Sequence, residues 1–343
     1  MANDGIRMEE VTTCLFCQKG GEPLYTGLPD RLFGAPGIWG FWRCPDCGLV
    51  WLNPRPVPED LGKVYTTYYT HSDGDRCSRL ALLREKIDLA LIAAIPGYHA
   101  LAPGMAWRHF GRVLSLFPPM REDARLATMC LDGIKTGRLL DVGCGNGRFL
   151  AIMRDAGWEV LGVEPDAASA KIAKERFGVP VIVGTLAEAG MPDESFDAVS
   201  LSHVIEHVYD PVALLAECRR VLKLGSKLVV LTPNIESLGH EQFGDSWRGL
   251  EPPRHLYLFS LGTLRACAEK GGLRIVLLRT SSRIARYIWV VSQVIKKRGR
   301  FSDSDITWRL RFGGLAFRIR EEITRLVREP KGEELVLIGV RDA

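Results

Sequence analysis

The residues best placed to do chemistry begin at Leu139. Leu139-Leu140-Asp141-Val142 is an apolar run holding one carboxylate, and Gly143, Gly145 and Gly147 follow at alternate positions before Arg148-Phe149-Leu150. A buried strand that turns sharply into bare main chain and then into a helix N-terminus, with its unpaired N–H groups, is a loop built to hold a nucleotide cofactor. Dinucleotide folds order their glycines as Gly-x-Gly-x-x-Gly, and this loop does not. A second apolar run, Val160-Leu161-Gly162-Val163, ends at Glu164-Pro165-Asp166, so Glu164 follows Gly143 by 21 residues. A carboxylate there can accept both hydroxyls of a ribose.

With Asp141 directly before the glycines, the pattern resembles the first motif of class I S-adenosylmethionine (SAM) dependent methyltransferases of the bacterial small-molecule type. The resemblance covers residues 126–343. It implies that Asp141, Gly143, Cys144, Gly145 and Gly147 wrap the methionine end of SAM and that Glu164, with Pro165 beside it, takes the ribose. It also implies that Ser202-His203-Val204-Ile205-Glu206-His207 lines the sulfur and substrate side, with Ser202 and His203 against the cofactor. The family often places an acid after its third strand to bind the adenine amino group. This chain has Gly184-Thr185-Leu186-Ala187 there, so backbone groups of Thr185 and Leu186 are the expected contacts.

Methyl transfer from a sulfonium is an in-line displacement that needs alignment, plus a general base when the acceptor is a hydroxyl. The segment from Gly239 to Ser260 is dense in aromatic and titratable side chains, and resembles a proline, histidine-leucine, phenylalanine-serine signature of the same family. His255 is the first candidate base and His207 the second, because histidine titrates near neutrality. The competing role for His255 is to bond backbone and hold the loop. His203 and His207 lie four apart and would share a face on a helix. Zinc proteases place a glutamate directly after the first histidine, whereas Glu206 precedes the second, so no metal is assigned to this pair.

A second constellation lies near the N-terminus. Cys14-Leu15-Phe16-Cys17 and Cys44-Pro45-Asp46-Cys47 are separated by 26 residues. Each pair can close a knuckle that points two thiolates at one metal ion, and four cysteines leave no open coordination position, so a structural zinc ribbon is expected. His71, Cys77 and Cys130 have no partners at metal spacing.

The elements that must position these groups follow from periodicity. An alternating series is expected: strands at 138–142, 159–163, 180–183, 196–201 and 227–231, with helices at 147–156 and 167–177 between the first three. Ser260 should cap a helix from Leu261 to Lys270, and strands at 273–278 and 334–340 complete the series. The fold class is therefore α/β: a Rossmann-like, mostly parallel seven-stranded sheet with helices on both faces, plus the small N-terminal zinc ribbon. The ribbon takes residues 1–60, a helical connector or lid 61–125, and the methyltransferase domain 126–343. Within the connector Leu80, Leu83, Ile87, Leu91 and Ala94 recur at helical spacing, residues 121–136 read as one more helix, and Tyr65, Tyr68 and Tyr69 pack or wall a substrate cavity.

Charge and composition bound the partners. Hydrophobic residues at 46% and charged residues at 25% suit a globular chain with a sizeable core. No signal pattern or spanning run is present, so a cytoplasmic location is expected. Residues 1–60 carry five basic and eight acidic side chains, whereas the insertion at 281–332 carries thirteen basic and five acidic. An RNA-reading ribbon should be basic, so nucleic acid is not the expected acceptor. The alternatives to a small-molecule, glycan or lipid-linked acceptor are an RNA methyltransferase and a non-catalytic SAM-binding protein. Within the insertion Ile284, Ile288, Val291 and Ile295 form an apolar stripe beside Lys296, Lys297 and Arg298. That stripe either packs on the protein or meets an anionic membrane surface, on the inner face.

Overall fold

The computed structural model describes residues 5–65, 79–133 and 135–342; Tyr68, Tyr69, His71 and Cys77 lie outside them. Five short strands open the chain: β1 (Met8–Glu9), β2 (Glu22–Leu28), β3 (Trp39–Arg43), β4 (Val50–Leu52) and β5 (Arg55–Pro56). Three helices follow, α1 (Arg79–Ala93), α2 (Met105–Leu114) and α3 (Pro118–Ala127). The last is shorter than the expected 121–136 and starts earlier. Pro118 supplies a preset first turn, and the Thr128 hydroxyl closes the end on the Arg125 carbonyl at 3.0 Å before Met129 and Cys130 turn to positive φ.

The alternating series comes next: β6 (Arg138–Val142), α4 (Arg148–Asp155), β7 (Glu159–Glu164), α5 (Ala167–Phe177), β8 (Val181–Val183) and β9 (Phe196–Ser202). Then come α6 (Pro211–Val221), β10 (Leu222–Pro233), α7 (Leu238–Phe243), β11 (Tyr257–Leu258), α8 (Leu261–Lys270) and β12 (Arg274–Ser281). The chain closes with α9 (Ala285–Arg298), α10 (Trp308–Val327) and β13 (Glu334–Val340). Seven strands form one mostly parallel Rossmann-like sheet in the order β12-β13-β10-β9-β6-β7-β8. β6 runs parallel to both β7 and β9, and β7 to β8.

The chain divides into two compact units, one of residues 5–65, 203–216 and 230–339, the other of 79–133, 135–202, 217–229 and 340–342. In the first, β2, β3 and β4 form an antiparallel meander to which β11 adds a fourth strand, Tyr257 opposite Trp51 and Leu258 opposite Val50. Trp39, Phe41, Trp51 and Leu52 are buried in this sheet. A β-carbon at Gly40 would lie 2.9 Å from the Tyr25 carbonyl oxygen, so no other residue fits there. α9 and α10 pack together, with Gly313 against the Trp289 ring and Gly314 against the Arg286 carbonyl. The expected stripe of α9 faces inward: Ile288, Val291 and Ile295 are buried, so it is a packing face.

In the second unit Leu139, Leu140, Ala198, Val199 and Leu201 fill the centre of the sheet. The chain runs outward from β6 through β7 to β8 and then returns to β9 on the other side of β6. That reversal leaves a crevice beyond the C-terminal ends of β6 and β9, where open α/β sheets bind ligands.

Candidate functional site

Within the second unit the Gly143 and Cys144 amides both donate to the Val163 carbonyl, at 2.8 and 3.2 Å, hooking the loop to β7. Gly143, Gly145 and Gly147 have φ of 69°, 53° and 77°, the left-handed region that favours glycine. Their surroundings differ. A β-carbon at Gly147 would sit 2.7 Å from Ala173 and Val179, so this glycine serves helix packing, whereas one at Gly145 meets nothing within 4 Å. The open main chain is therefore at Gly145. Glu164 stands beside it, Oε2 accepting from the Gly145 amide at 2.8 Å and Oε1 from the Asp166 amide at 2.9 Å. Burial raises its pKa, and those two amides oppose the rise.

The other residues expected at the cofactor take distinct places. Asp141 is buried at the end of β6, accepts from the Ser200 hydroxyl at 2.6 Å and is pushed up to about 7 by burial. Ser200 had no signal in the sequence beyond its strand. The Cys144 thiol packs against β7, where a β-carbon at Gly162 would lie 2.4 Å from Sγ, leaving only its backbone for the loop. Pro165 is exposed, as is Ser202 at the end of β9. Thr185 gives its amide and hydroxyl to the Glu188 carboxylate at 2.8 and 2.9 Å, so that amide is already committed, and the Leu186 side chain is buried. Positive-φ glycines with open space over Gly145, and a carboxylate held at the same loop, fit a cofactor with an amino-acid end and a ribose.

His203, His207 and His255 belong to the first unit. Residues 205–207 form a single tight turn and His203 has φ of 56°, so His203 and His207 do not share the face of a helix. His203 Nδ1 meets Glu206 Oε1 at 3.2 Å and Nε2 meets Glu334 Oε1 at 3.0 Å. Burial would lower its pKa, but the two carboxylates outweigh it and push it up to about 9. Glu206 also accepts from the Thr232 hydroxyl at 2.9 Å, and Glu334 from Arg283 at 2.8 Å.

His207 and His255 stack edge to face with ring centroids 4.7 Å apart. His207 Nδ1 lies 3.1 Å from the Arg254 carbonyl and 3.0 Å from the Tyr65 hydroxyl; His255 Nδ1 lies 2.7 Å from the Gly249 carbonyl. A carbonyl only accepts, so each Nδ1 carries the proton and each Nε2 keeps a lone pair. Burial lowers both pKa values, that of His255 to about 4, so both rings are neutral at pH 7. His255 is almost wholly buried, while His207 is half-buried. Glu206, His207 and His255 each offer a ligand atom within 4.8 Å of the others, but both Glu206 oxygens already hold protein donors.

Around these rings runs an ion-pair network with no sequence signature. Arg254, fully buried, pairs with Asp30 at 2.8 Å and Glu251 at 3.3 Å, and donates to the Val64 carbonyl at 2.9 Å. Arg248 pairs with the other oxygen of Glu251. Burial would raise the Glu251 pKa, but the guanidiniums of Arg248 and Arg254 hold it below the usual carboxylate range. Asp30 in turn accepts the amides of Leu32, Phe33 and Ala35 at 3.0, 3.0 and 2.8 Å.

The four N-terminal cysteines converge, with one sulfur from each within 4.8 Å of the others and Cys14 3.5 Å from Cys47. Both knuckles have the same build. The Gln18 amide returns to the Cys14 carbonyl and the Gly48 amide to the Cys44 carbonyl, at 2.9 and 3.0 Å, and both donors have positive φ. Tetrahedral zinc with bonds of about 2.3 Å needs sulfurs about 3.8 Å apart, which this cluster suits.

Residues 115–278 match the family described as Methyltransferase domain (Methyltransf_23). Over these residues, just under half of the chain, it is similar to a methyltransferase domain. Over 112 residues the chain is 38% identical to a Mycolicibacterium smegmatis protein described as "Probable S-adenosylmethionine-dependent methyltransferase", covering 32% of this chain and 42% of that one. Over 122 residues it is 34% identical to the ubiquinone biosynthesis O-methyltransferase of Alkalilimnicola ehrlichii, covering 34% of this chain and 49% of that one. The chain thus spans less than half the length of these curated relatives. It is also similar to a solved SAM-dependent methyltransferase from Archaeoglobus fulgidus, at 23% identity and a TM-score of 0.44 over 68% of this chain and 99% of that one. The matched residues include the glycine loop, Glu164, His207 and His255, and leave the four cysteines outside.

Proposed function

We propose that the chain transfers the methyl group of SAM to a hydroxyl of a small-molecule acceptor. The observation that carries this reading is the left-handed glycine loop with open space at Gly145 and Glu164 bonded to the same residue. Gly143, Gly145 and the Cys144 backbone hold the methionine end of SAM, and Glu164 takes the ribose hydroxyls. SAM supplies an electrophilic methyl on a sulfonium. The acceptor hydroxyl loses a proton, and His207 takes it on Nε2, with Nδ1 held by the Arg254 carbonyl and the ring kept neutral by burial. His207 stands ahead of His255 because His255 is almost wholly buried. His203, a cation between two carboxylates, is not a base. A hydroxyl acceptor is supported by the relatives named as ubiquinone biosynthesis O-methyltransferases. One structural zinc is held by Cys14, Cys17, Cys44 and Cys47.

The test is incubation of the purified protein with methyl-labelled SAM and extracts of a strain deleted for it, followed by separation of RNA from small molecules. Label is expected in a small molecule, and His207→Ala should slow the transfer about a hundredfold with SAM affinity unchanged. Label in RNA, or SAM binding without any transfer, would overturn the reading in favour of the RNA or non-catalytic alternative.

A further inference from the structure

α10 packs one face and leaves the opposite face bare. Gly314, Phe317 and Glu321 are buried on the packed side, Phe317 in a cluster with Leu238, Ala285 and Trp289. Trp308, Phe312, Leu315, Ile319, Ile323 and Leu326 recur every three or four residues on the other side, and each is between 42 and 87% exposed. At 100° per residue the six fall within an arc of about 80° turned away from Phe317. A continuous row of large apolar side chains in water marks an interaction surface.

The charges around the row identify what covers it. Exposed Arg309 borders it on one side and exposed Arg311 on the other, by the same helical geometry. Of the acids of the helix, Glu321 is buried, and Glu322, beside Leu315 on the Arg311 side, is bonded to Ser282 and, at 3.0 Å, to Arg325. A second copy of the chain would therefore set arginine against arginine, with the bordering carboxylate, Glu322, already held by Ser282 and Arg325. Phosphates of a nucleic acid would satisfy the arginines and leave six apolar side chains in water. The headgroup boundary of an anionic bilayer satisfies both, since arginine stems lie along apolar surface while the guanidinium reaches the phosphates. The helix is about 30 Å long, and among the described residues no helix is long and apolar enough to cross a membrane, so α10 would lie along the surface.

We propose that α10 is an interfacial helix that seats this protein on an anionic membrane, with the row from Trp308 to Leu326 entering the acyl boundary and Arg309 and Arg311 at the phosphates. The proposal is independent of the methyl-transfer reading. It moves the membrane contact from the α9 stripe, which is packed, to the neighbouring helix.

Co-sedimentation with vesicles tests it. The full chain should bind vesicles containing phosphatidylglycerol at least about tenfold more tightly than phosphatidylcholine alone, and salt should weaken the binding. Phe312→Glu/Ile319→Glu and Arg309→Glu/Arg311→Glu should each abolish binding. All four positions are exposed, so the variants should keep the wild-type circular dichroism and melting temperature. No sedimentation with anionic vesicles at low salt would overturn the proposal. So would binding that survives both variants, or a dimer in analytical ultracentrifugation that Phe312→Glu dissociates.

Discussion

A histidine between two buried carboxylates is a cation by construction. Ionised Glu206 and Glu334 can only accept, so both ring nitrogens of His203 must donate. The carboxylates, against the pull of burial, are held down at about 2 while His203 is pushed up to about 9. A folded pKa above the ordinary 6.5 means that the stabilisation is complete below that pH and is lost as pH rises through 9. The ring is one-third exposed, so a discounted loss on the order of 1–2 kcal/mol is expected between pH 7 and 10. Urea unfolding at those two pH values should show the loss in the wild type and not in His203→Gln; equal pH dependence in both would remove the cation. The sequence singles out His203, His207 and His255 as residues worth locating. It cannot show which is charged, because the partners that decide it are distant: Glu334 lies 131 residues beyond His203. The same holds for Asp30 with Arg254, and for Ser200 with Asp141.

At the scale of the element, local chemistry was legible and partners were not. The limits of α5, α8 and β13 follow from caps and periodicity that lie within a few residues: Asp166 accepts the Ala168 and Ser169 amides, and Ser260 forms a reciprocal cap with Thr263. β11 has no such signal. Two residues of a proline-rich loop become a strand only because Trp51 and Val50 offer an edge, some 200 residues earlier in the chain. An apolar helical stripe likewise does not say whether it meets protein or solvent: that of α9 is buried, and the row on α10 is exposed. The cysteine knuckles are the opposite case, since spacing alone carries them. Elemental analysis should find about one zinc per chain, and Cys44→Ser/Cys47→Ser should lose it and melt at lower temperature. Full zinc content in that variant would place the metal elsewhere.

For the molecule as a whole, the alternation of β6, α4, β7, α5 and β8 declares a parallel sheet, and the glycine loop marks where its ligand belongs. What chain order concealed is that residues 5–65 share a compact unit with the segments around His203, His255 and the two long helices. Strand pairing and buried ion pairs drew those segments together, and neither has a local signature. The central claim is that the loop at Gly145 holds SAM. Isothermal titration calorimetry tests it most directly: SAM should bind the wild type with a Kd on the order of micromolar. Gly145→Val should show no binding, because a branched residue at φ of 53° is strained and fills the open main chain. A wild type that releases no heat with SAM, or a Gly145→Val protein that binds it with unchanged affinity, would contradict the account.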